Sequence, residues 1–246
     1  MKLFSRMLLV ALALVLTLTA TGLAEEAKLT VGTNPEFPPF ESMGDNNEIV
    51  GIDIDIINAI GEKIGMTISM ESMDFDALIP ALASGKIDVA IAGMTNTEER
   101  RKSVLFTDPY YEASQKIIVK EGSAIAAEAN LAGKHIGVQM GTTGDLYVSD
   151  KFTDATIERY NKGIDAVQDL VNGKIDAVVI DEAPAGVFVK QAQGLVVLAD
   201  RLSDEVYSIA LPLGKDDLCA KMNEALAALK ADGTLDKIVA SYKTEG

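Results

Sequence analysis

Two charged side chains that adjoin apolar segments are the residues of this sequence best suited to holding a small charged molecule. Arg100 lies in the charged run 98–102, and its planar guanidinium can give a carboxylate two parallel hydrogen bonds. Asp181 follows the apolar run 175–180 and can pair with a cation. Each also has a structural interpretation, because the charged run is typical of a solvated helix and Asp181 suits a helix N-cap. The residue types alone leave both interpretations open.

Thiol and metal chemistry have little support in the sequence. It holds one cysteine and one histidine, too few for an internal disulfide or a Cys/His metal site. Cys219 lies in the predicted helix 216–229 and is expected to be a small buried hydrophobic residue. His135 lies in the predicted strand 134–139 with no evident nucleophile beside it, so we expect a structural role. No metal, nucleotide or covalent cofactor is indicated.

The charge balance argues against nucleic acid as a partner. The 246 residues include 37 Asp and Glu against 22 Lys and Arg, which gives a net charge of −15. A surface of this sign repels phosphate backbones, so a nucleic-acid-binding protein is not expected.

The first residues have the pattern of a secretory signal peptide. Lys2 and Arg6 precede the apolar run 7–19, and the small residues of 22–24 predict cleavage after Ala24. The apolar run is shorter than the roughly 20 residues that span a bilayer. No cysteine stands directly after the predicted cleavage site as an acceptor for lipid attachment, and no later segment is long and apolar enough to cross a membrane. We therefore expect a soluble, monomeric, periplasmic protein.

Alternating strand and helix patterns predict an α/β fold in the first half of the chain. Residues 52–64 place isoleucines at helical spacing, whereas 87–92, which is apolar except for Asp88, is typical of a buried strand. Such an order predicts a mainly parallel sheet covered by helices. The strands are predicted at 28–33, 67–73 and 87–92, and the helices at 52–64, 76–84 and 98–103.

The same order of elements recurs in the second half. Ala83-Ser84-Gly85-Lys86-Ile87-Asp88 corresponds to Val171-Asn172-Gly173-Lys174-Ile175-Asp176, and in both a predicted helix ends at glycine before a buried strand. The repetition indicates two similar lobes. The strands are predicted at 134–139, 156–160 and 175–180, and the helices at 144–151 and 165–171.

Two extended segments, 112–120 and 205–212, are predicted to carry the chain from one lobe to the other and back. Helices at 216–230 and 235–242 would then complete the first lobe. Two crossing strands form a hinge of the kind that permits closure around a ligand. The predicted boundaries are 1–24 for the signal peptide, 25–113 with 206–246 for the first lobe, and 114–205 for the second.

Motifs along nearly the whole chain resemble the polar amino-acid family of periplasmic solute-binding proteins, the receptors of ABC importers. The motifs lie, in order, at 32–40, 51–55, 74–82, 92–100, 106–111, 141–144 and 180–182. The resemblance implies an α/β, two-lobed periplasmic-binding-protein fold, with two mainly parallel sheets flanked by helices and joined by a two-stranded hinge. It also implies a receptor without enzymatic activity, whose partners are a free L-amino acid and an inner-membrane ABC permease.

The resemblance assigns roles to nine residues. A buried zwitterion needs partners for both charges, because an unpaired buried charge is costly. Arg100, with backbone N–H groups of Thr95 and Thr143, would bind the carboxylate. Asp181, with the Gly93 carbonyl and the Thr95 hydroxyl, would bind the ammonium group, although Thr95, like Thr97, also suits a helix N-cap. The ligand side chain would lie between two aromatic rings and end at two amides, provided by Phe37, Phe75, Asn34 and Gln139.

The expected ligand side chain depends on positions where the sequence departs from the family pattern. Receptors for lysine or arginine usually carry Asp where this chain has Asn34, and glutamine receptors tend to place a lysine where Gln139 stands. Glu36 and Asp53 are candidates for restoring negative charge. The main expectation is an uncharged, glutamine-like amino acid, and the alternative is a basic one such as lysine, arginine or histidine. A periplasmic cyclohexadienyl-type dehydratase with Asp181 as general acid is the alternative of another class.

Overall fold

The computed structural model describes residues 27–242, so the predicted signal peptide lies outside the described residues. The strands are β1 (Lys28–Thr33), β2 (Glu36–Phe37), β3 (Glu41–Met43), β4 (Ile49–Val50), β5 (Thr67–Ser72), β6 (Val89–Ala90), β7 (Val104–Phe106), β8 (Tyr111–Ala113), β9 (Gln115–Lys120), β10 (His135–Gln139), β11 (Thr156–Tyr160), β12 (Ala177–Asp181), β13 (Leu195–Val197), β14 (Glu205–Tyr207) and β15 (Ala210–Pro212). The helices are α1 (Ile52–Ile64), α2 (Leu78–Ser84), α3 (Glu98–Arg101), α4 (Thr143–Lys151), α5 (Gly163–Val171), α6 (Glu182–Gln191), α7 (Asp216–Ala231) and α8 (Thr234–Ser241). Across residues 27–242, none of these helices has the length and apolar character that a membrane span requires.

Two five-stranded sheets form the centres of two lobes. The first sheet has the order β5-β1-β6-β15-β7, and the second has the order β11-β10-β12-β9-β13. In the first sheet β1 runs parallel to β5 and β6, whereas β15 is antiparallel to both of its neighbours. In the second sheet β10 runs parallel to β11 and β12, and β9 is the antiparallel strand. The expectation of two mainly parallel sheets is confirmed, with one reversed strand at the same place in each.

Helix α1 shows how the sequence builds the first lobe. Ile56, Ile57 and Ile60 are fully buried against the sheet, as their helical spacing predicts. Each contributes roughly 1.5–3 kcal/mol through burial of its apolar surface. The helix ends at Gly65, whose φ of 69° is the left-handed conformation that glycine adopts without strain. Helices α7 and α8 pack against α1, so the end of the chain belongs to the first lobe.

An antiparallel ribbon of β8 and β14 joins the two lobes. Glu205 pairs with Ala113 and Tyr207 with Tyr111. The chain runs from β7 in the first sheet through β8 to β9 in the second, and it returns from β13 through β14 to β15. The two reversed strands, β9 and β15, are thus the first sheet strands after each crossing. This ribbon is the two-stranded hinge that the sequence predicts.

Several short elements differ from the predictions. The predicted strand 87–92 forms ladder pairs only at Val89 and Ala90, although most of the segment is buried. The predicted helix 98–103 is shortened to α3. Cys219 is half-buried and not fully buried as predicted. Its thiol lies near the carbonyl oxygen of Phe106, at the margin of the core. His135 is exposed at the start of β10. The small sheet β2-β3-β4 was not predicted, because strands of two or three residues show no periodicity.

Candidate functional site

A narrow cavity lies between the two lobes, beside the ribbon. Residues from both sheets contribute to its wall, at the ends of the strands where ligands bind in open α/β sheets. The structure brings all nine residues of the predicted site to this one cavity: Asn34, Phe37, Phe75, Gly93, Thr95, Arg100, Gln139, Thr143 and Asp181. Glu41, Ala92 and Thr142 also line it and were not predicted. The ligand-binding roles of the nine residues stay predictions.

Arg100 is held by backbone groups of both lobes. Its Nη1 donates to the carbonyl of Thr95 at 2.8 Å, and its Nη2 donates to the carbonyl of Gly141 at 3.0 Å. The guanidinium lies over the ring of Phe75, 5.2 Å from its centroid. Burial lowers the pKa of Arg100, while the carboxylates of Asp181 and Glu205 act in the opposite direction. The side chain is therefore not the solvated helix face that the charged run alone suggests, since it is only 8% exposed.

Asp181 occupies the N-cap position of α6, yet its side chain makes no capping hydrogen bond. Instead its carboxylate accepts a hydrogen bond of 2.5 Å from the hydroxyl of Tyr207 in the ribbon. Burial raises the pKa of Asp181 to about 7, and the nearby carboxylate of Glu205 adds to the rise. The carboxyl group faces the cavity wall rather than the helix end, which favours the binding interpretation over the capping one.

Two further buried acids lie at or behind the cavity. Glu41 in β3 is fully buried, and apart from a carboxyl–carboxyl contact with Asp53 neither of its oxygens has a hydrogen-bond partner among the described residues. Burial, followed by the neighbouring charge of Asp53, raises the pKa of Glu41 well above its ordinary value. Asp53 accepts hydrogen bonds of 2.8 Å from the Gly93 N–H and the Tyr110 hydroxyl. These bonds only partly offset its burial, which raises the pKa of Asp53 to about 6.

Gly93 lies where only glycine fits. Its φ of 52° is in the left-handed region. A Cβ atom at this position would lie 2.8 Å from the ring of Phe37. The hydrogen bond that the Gly93 N–H donates to Asp53 fixes the orientation of this peptide. The backbone after β6 therefore passes close to the ring of Phe37.

The two predicted amides contact each other at one end of the cavity. Gln139 donates to Oδ1 of Asn34 at 2.9 Å and to the carbonyl of Asn161 at 3.2 Å. Asn34 in turn donates to the carbonyl of Met73. The second amide atom of Gln139, Oε1, is buried and has no partner among the described residues. Oε1 of Gln139 is therefore an acceptor at this end of the cavity that receives no hydrogen bond from the described residues.

Glu36 does not contribute charge to the cavity. Its carboxylate pairs with Lys162 of the other lobe at 2.6 Å, and it does not line the cavity. Its proposed role as a source of negative charge is therefore not supported. Glu41, which follows the first family motif by one residue, is the acid that the structure places there.

Hydrogen bonds across the cleft hold the lobes in a closed arrangement. Two pairs lie at the cavity and two, here called the outer contacts, lie outside it. The cavity pairs are Arg100 with Gly141 and Gln139 with Asn34, and the outer contacts are Lys162 with Glu36 and Asn161 with Asp74.

The arrangement is suited to binding rather than to bond breaking. The cavity is lined by one guanidinium, carboxyl groups, amides and aromatic rings, which bind charged and polar groups by hydrogen bonds. In residues 27–242 there is no group of three or more His, Cys, Asp or Glu side chains that could hold a metal ion. Fold and site thus define a two-lobed protein that closes around a small ligand.

Comparison with known proteins assigns the family. The model of the bacterial extracellular solute-binding proteins, family 3, matches residues 29–245. The ABC transporter arginine-binding protein 1 of Escherichia coli (strain K12) is 39% identical over 232 residues, which cover 92% of this chain and 95% of that protein. Two solved structures of an ancestral arginine-binding protein, one bound to glutamine and one to arginine, match with a TM-score of 0.85 at 44% identity, over 89% of this chain and 99% of theirs.

The chain belongs to the bacterial extracellular solute-binding proteins of family 3. The resemblance noted in the sequence is thereby confirmed. The family and the relatives named above are binding proteins, so the protein is not an enzyme. The dehydratase alternative is therefore rejected.

Proposed function

We propose that the protein is a periplasmic receptor for a basic L-amino acid, with arginine as the first candidate, and that it delivers this ligand to an ABC permease. The relatives support the basic alternative better than the uncharged, glutamine-like ligand that the sequence favours, because their names include arginine. The two lobes proposed are 25–113 with 206–246 and 114–205, with the ribbon as hinge. The signal-like N-terminus supports the periplasmic location.

The observation that carries the proposal is a set of buried acceptors at the cavity that no N–H or hydroxyl group of the described residues satisfies. Oε1 of Gln139 is buried without a partner among the described residues, and the carboxyl oxygens of Glu41 have no partner there other than the carboxyl group of Asp53. A guanidinium has five N–H donors and no acceptor, and a protonated amine is also donor-only. A ligand with such a side chain would satisfy these acceptors, whereas an uncharged amide would bring an additional acceptor of its own.

Charge supports the same ligand class. Of the described residues that line the cavity, Arg100 is the cation, whereas Glu41 and Asp181 are acids, with Asp53 directly behind them. The carboxylate and ammonium group of a zwitterion leave this balance unchanged. A cationic side chain adds the positive charge that a second buried carboxylate needs for ionisation.

Arg100 retains donors for the ligand carboxylate. Two of its five N–H groups are used by the carbonyls of Thr95 and Gly141, so three remain. Because those carbonyls belong to different lobes, Arg100 makes both bonds only when the lobes are close together. Ligand binding and closure would therefore favour each other.

Glutamine is the second candidate. The ancestral relative binds glutamine as well as arginine, by the descriptions of its structures. The amides of Asn34 and Gln139, which bond to each other at 2.9 Å, could exchange that bond for one to a ligand amide.

Thermal unfolding with a panel of amino acids tests the proposal. The secreted form would be mixed separately with arginine, lysine, histidine and glutamine, and the dissociation constants of the stabilising ligands would be measured by calorimetry. A ligand at about 100 times its dissociation constant adds about 2.7 kcal/mol to the unfolding free energy. With all four amino acids at one common concentration, we expect arginine to give the largest increase. Stabilisation by glutamine without stabilisation by any basic amino acid would reject the basic assignment.

A further inference from the structure

The carboxylate of Glu205 contacts a threonine of each lobe from the ribbon. Its Oε2 accepts hydrogen bonds from the hydroxyls of Thr95 at 2.7 Å and Thr143 at 2.8 Å. Its Oε1 accepts one from Ser203 at 2.7 Å. Thr95 is held beside the ribbon by a β-bridge to Tyr207, two residues from Glu205 in the same strand. The threonines both line the cavity, although Glu205 itself does not.

The hydrogen bond to Glu205 determines what the Thr95 hydroxyl can offer a ligand. A hydroxyl has one hydrogen and two acceptor lone pairs, whereas a carboxylate only accepts. The Thr95 hydrogen is therefore directed at Glu205 and away from the cavity. What Thr95 presents to the cavity is an acceptor, which suits an ammonium group because that group only donates.

Thr143 is oriented by the same carboxylate in a different way. Its hydroxyl donates to Glu205 and accepts from Nε2 of Gln115 at 3.1 Å. The hydroxyl is thus engaged both as donor and as acceptor. Its backbone N–H is then the donor that remains for a ligand carboxylate. One carboxylate in the ribbon accordingly sets the hydrogen-bonding direction of one residue on each side of the cleft.

We propose that Glu205 is a positioning residue for specificity, which makes the Thr95 hydroxyl an acceptor and so selects an α-amino group over an α-hydroxyl group. The proposal rests on the proposed function, since it concerns the α-amino group of the same ligand. Glu205 acts through Thr95 and does not itself contact the ligand. A ligand with an α-hydroxyl has one O–H, and it would have to donate that hydrogen to the Thr95 hydroxyl. An ammonium group has three N–H donors.

The substitution Glu205→Gln tests the proposal. The amide nitrogen of the glutamine can donate to Thr95, which frees the threonine hydrogen to face the cavity and oppose an ammonium group. Calorimetry would give dissociation constants for L-arginine and for argininic acid, its α-hydroxy analogue. We expect the preference for arginine over argininic acid to fall by about tenfold, the factor that corresponds to about 1.4 kcal/mol, the size of one hydrogen bond.

Variants of Thr95 provide the controls and do not require that Glu205→Gln folds. Thr95→Ser retains the hydroxyl and should retain the preference, whereas Thr95→Val should lose it to a similar extent. The double variant Glu205→Gln with Thr95→Val should show the preference of Thr95→Val alone, because Glu205 has no hydroxyl left to orient.

Three outcomes would overturn the inference. An equal loss of affinity for both ligands in Glu205→Gln would show that Glu205 serves only closure, and the proposed function would stand. An unchanged preference in Thr95→Val would exclude Thr95 as the discriminating group. If the unmodified protein binds neither arginine nor argininic acid, the proposed function fails and the inference fails with it.

Discussion

Glu41, Asp53 and Asp181 are acids that are almost completely screened from water, and Arg100 is the nearby cation. Burial without a matching cation raises the pKa of all three carboxyl groups. In the empty protein these groups therefore retain protons at pH values where exposed carboxyls are ionised. A cationic ligand would reverse this state, because it stabilises the ionised forms.

Glu41→Gln should distinguish the basic ligand from the uncharged one. The substitution keeps the shape of the side chain and removes the acid, so arginine affinity should fall by about 1.5–3 kcal/mol, the range of hydrogen bonds to charged groups. Affinity for glutamine should change little. Calorimetry with both ligands on the same preparation measures the two effects. Equal effects on arginine and glutamine would remove Glu41 from the side-chain site.

Asp181→Asn should make the empty protein more stable at alkaline pH. The folded-state pKa of Asp181 is raised to about 7, so its contribution to stability is present below its ordinary value of 3.8 and is lost as the pH rises through about 7. That loss is on the order of 2–4 kcal/mol at about pH 8. The variant should have a higher melting temperature than the unmodified protein at that pH, and a similar one in acid. It should also lose stabilisation by amino acids.

A lower melting temperature of Asp181→Asn at alkaline pH would contradict this argument. The hydrogen bond from Tyr207 serves as an internal check, because an asparagine can still accept it.

At the scale of elements, the loops that follow the strands of each sheet meet across the cleft. The Gly141 carbonyl after β10 contacts Arg100 of α3, and Lys162 before α5 contacts Glu36 of β2. The first contact uses one of the five N–H groups of the guanidinium at the cavity, whereas the second lies outside the cavity. The outer contacts therefore stabilise the closed arrangement without touching the ligand.

Lys162→Gln should speed ligand release. Its ion pair with Glu36 is partly exposed, since the side chains are 45% and 29% accessible, and pairs of this kind contribute about 0.2–1 kcal/mol. The dissociation rate should rise by about two- to fivefold at low salt, with little effect at high salt. Stopped-flow displacement measures the rate. Lys174→Gln removes a pair with Asp169 inside one lobe and should leave the rate unchanged.

The sequence predicts the regular elements of the fold well and the short ones poorly. Helix α1 and the parallel strands have apolar patterns that are long enough to show a period. β2, β3 and β4 have two or three residues each, so their pairing comes from tertiary contacts. Ribbon pairing joins Glu205 to Ala113, which are far apart in sequence, and no local pattern specifies that register.

Eight of the nine predicted site residues lie within family motifs, and Gln139 lies two residues before one. Arg100 and Asp181 lie within such motifs, and the structure brings both to one cavity. Glu41 was missed although it directly follows Phe40, because its burial depends on the small sheet that the sequence does not reveal. Glu205 and Tyr207 were missed because their contacts depend on the ribbon. Glu205 and Tyr207 alternate along the strand that crosses between the lobes, and polar groups in such a strand would have been a usable signal of side chains directed at the cleft.

For the whole molecule, binding of a cationic ligand should release protons. The pKa values of about 7 for Asp181 and about 6 for Asp53 in the closed arrangement should fall when a cation pairs with the acids. Arginine affinity should therefore be about tenfold weaker at about pH 6 than at about pH 8. Calorimetry in buffers with different ionisation enthalpies measures the protons released. Affinity that does not change between these pH values would show that the carboxyl groups are already ionised in the empty protein.

The path of the chain through the ribbon has a consequence for biosynthesis. All the sheet strands of the second lobe are contiguous from β9 to β13, but the first sheet needs β15, which comes after them. The last helices, α7 and α8, cover α1 from the far end of the chain. The polypeptide is made from its N-terminus, so all the strands of the second sheet are available before β15. The first sheet stays incomplete, and the isoleucines of α1 stay uncovered, until the end of the chain has been made.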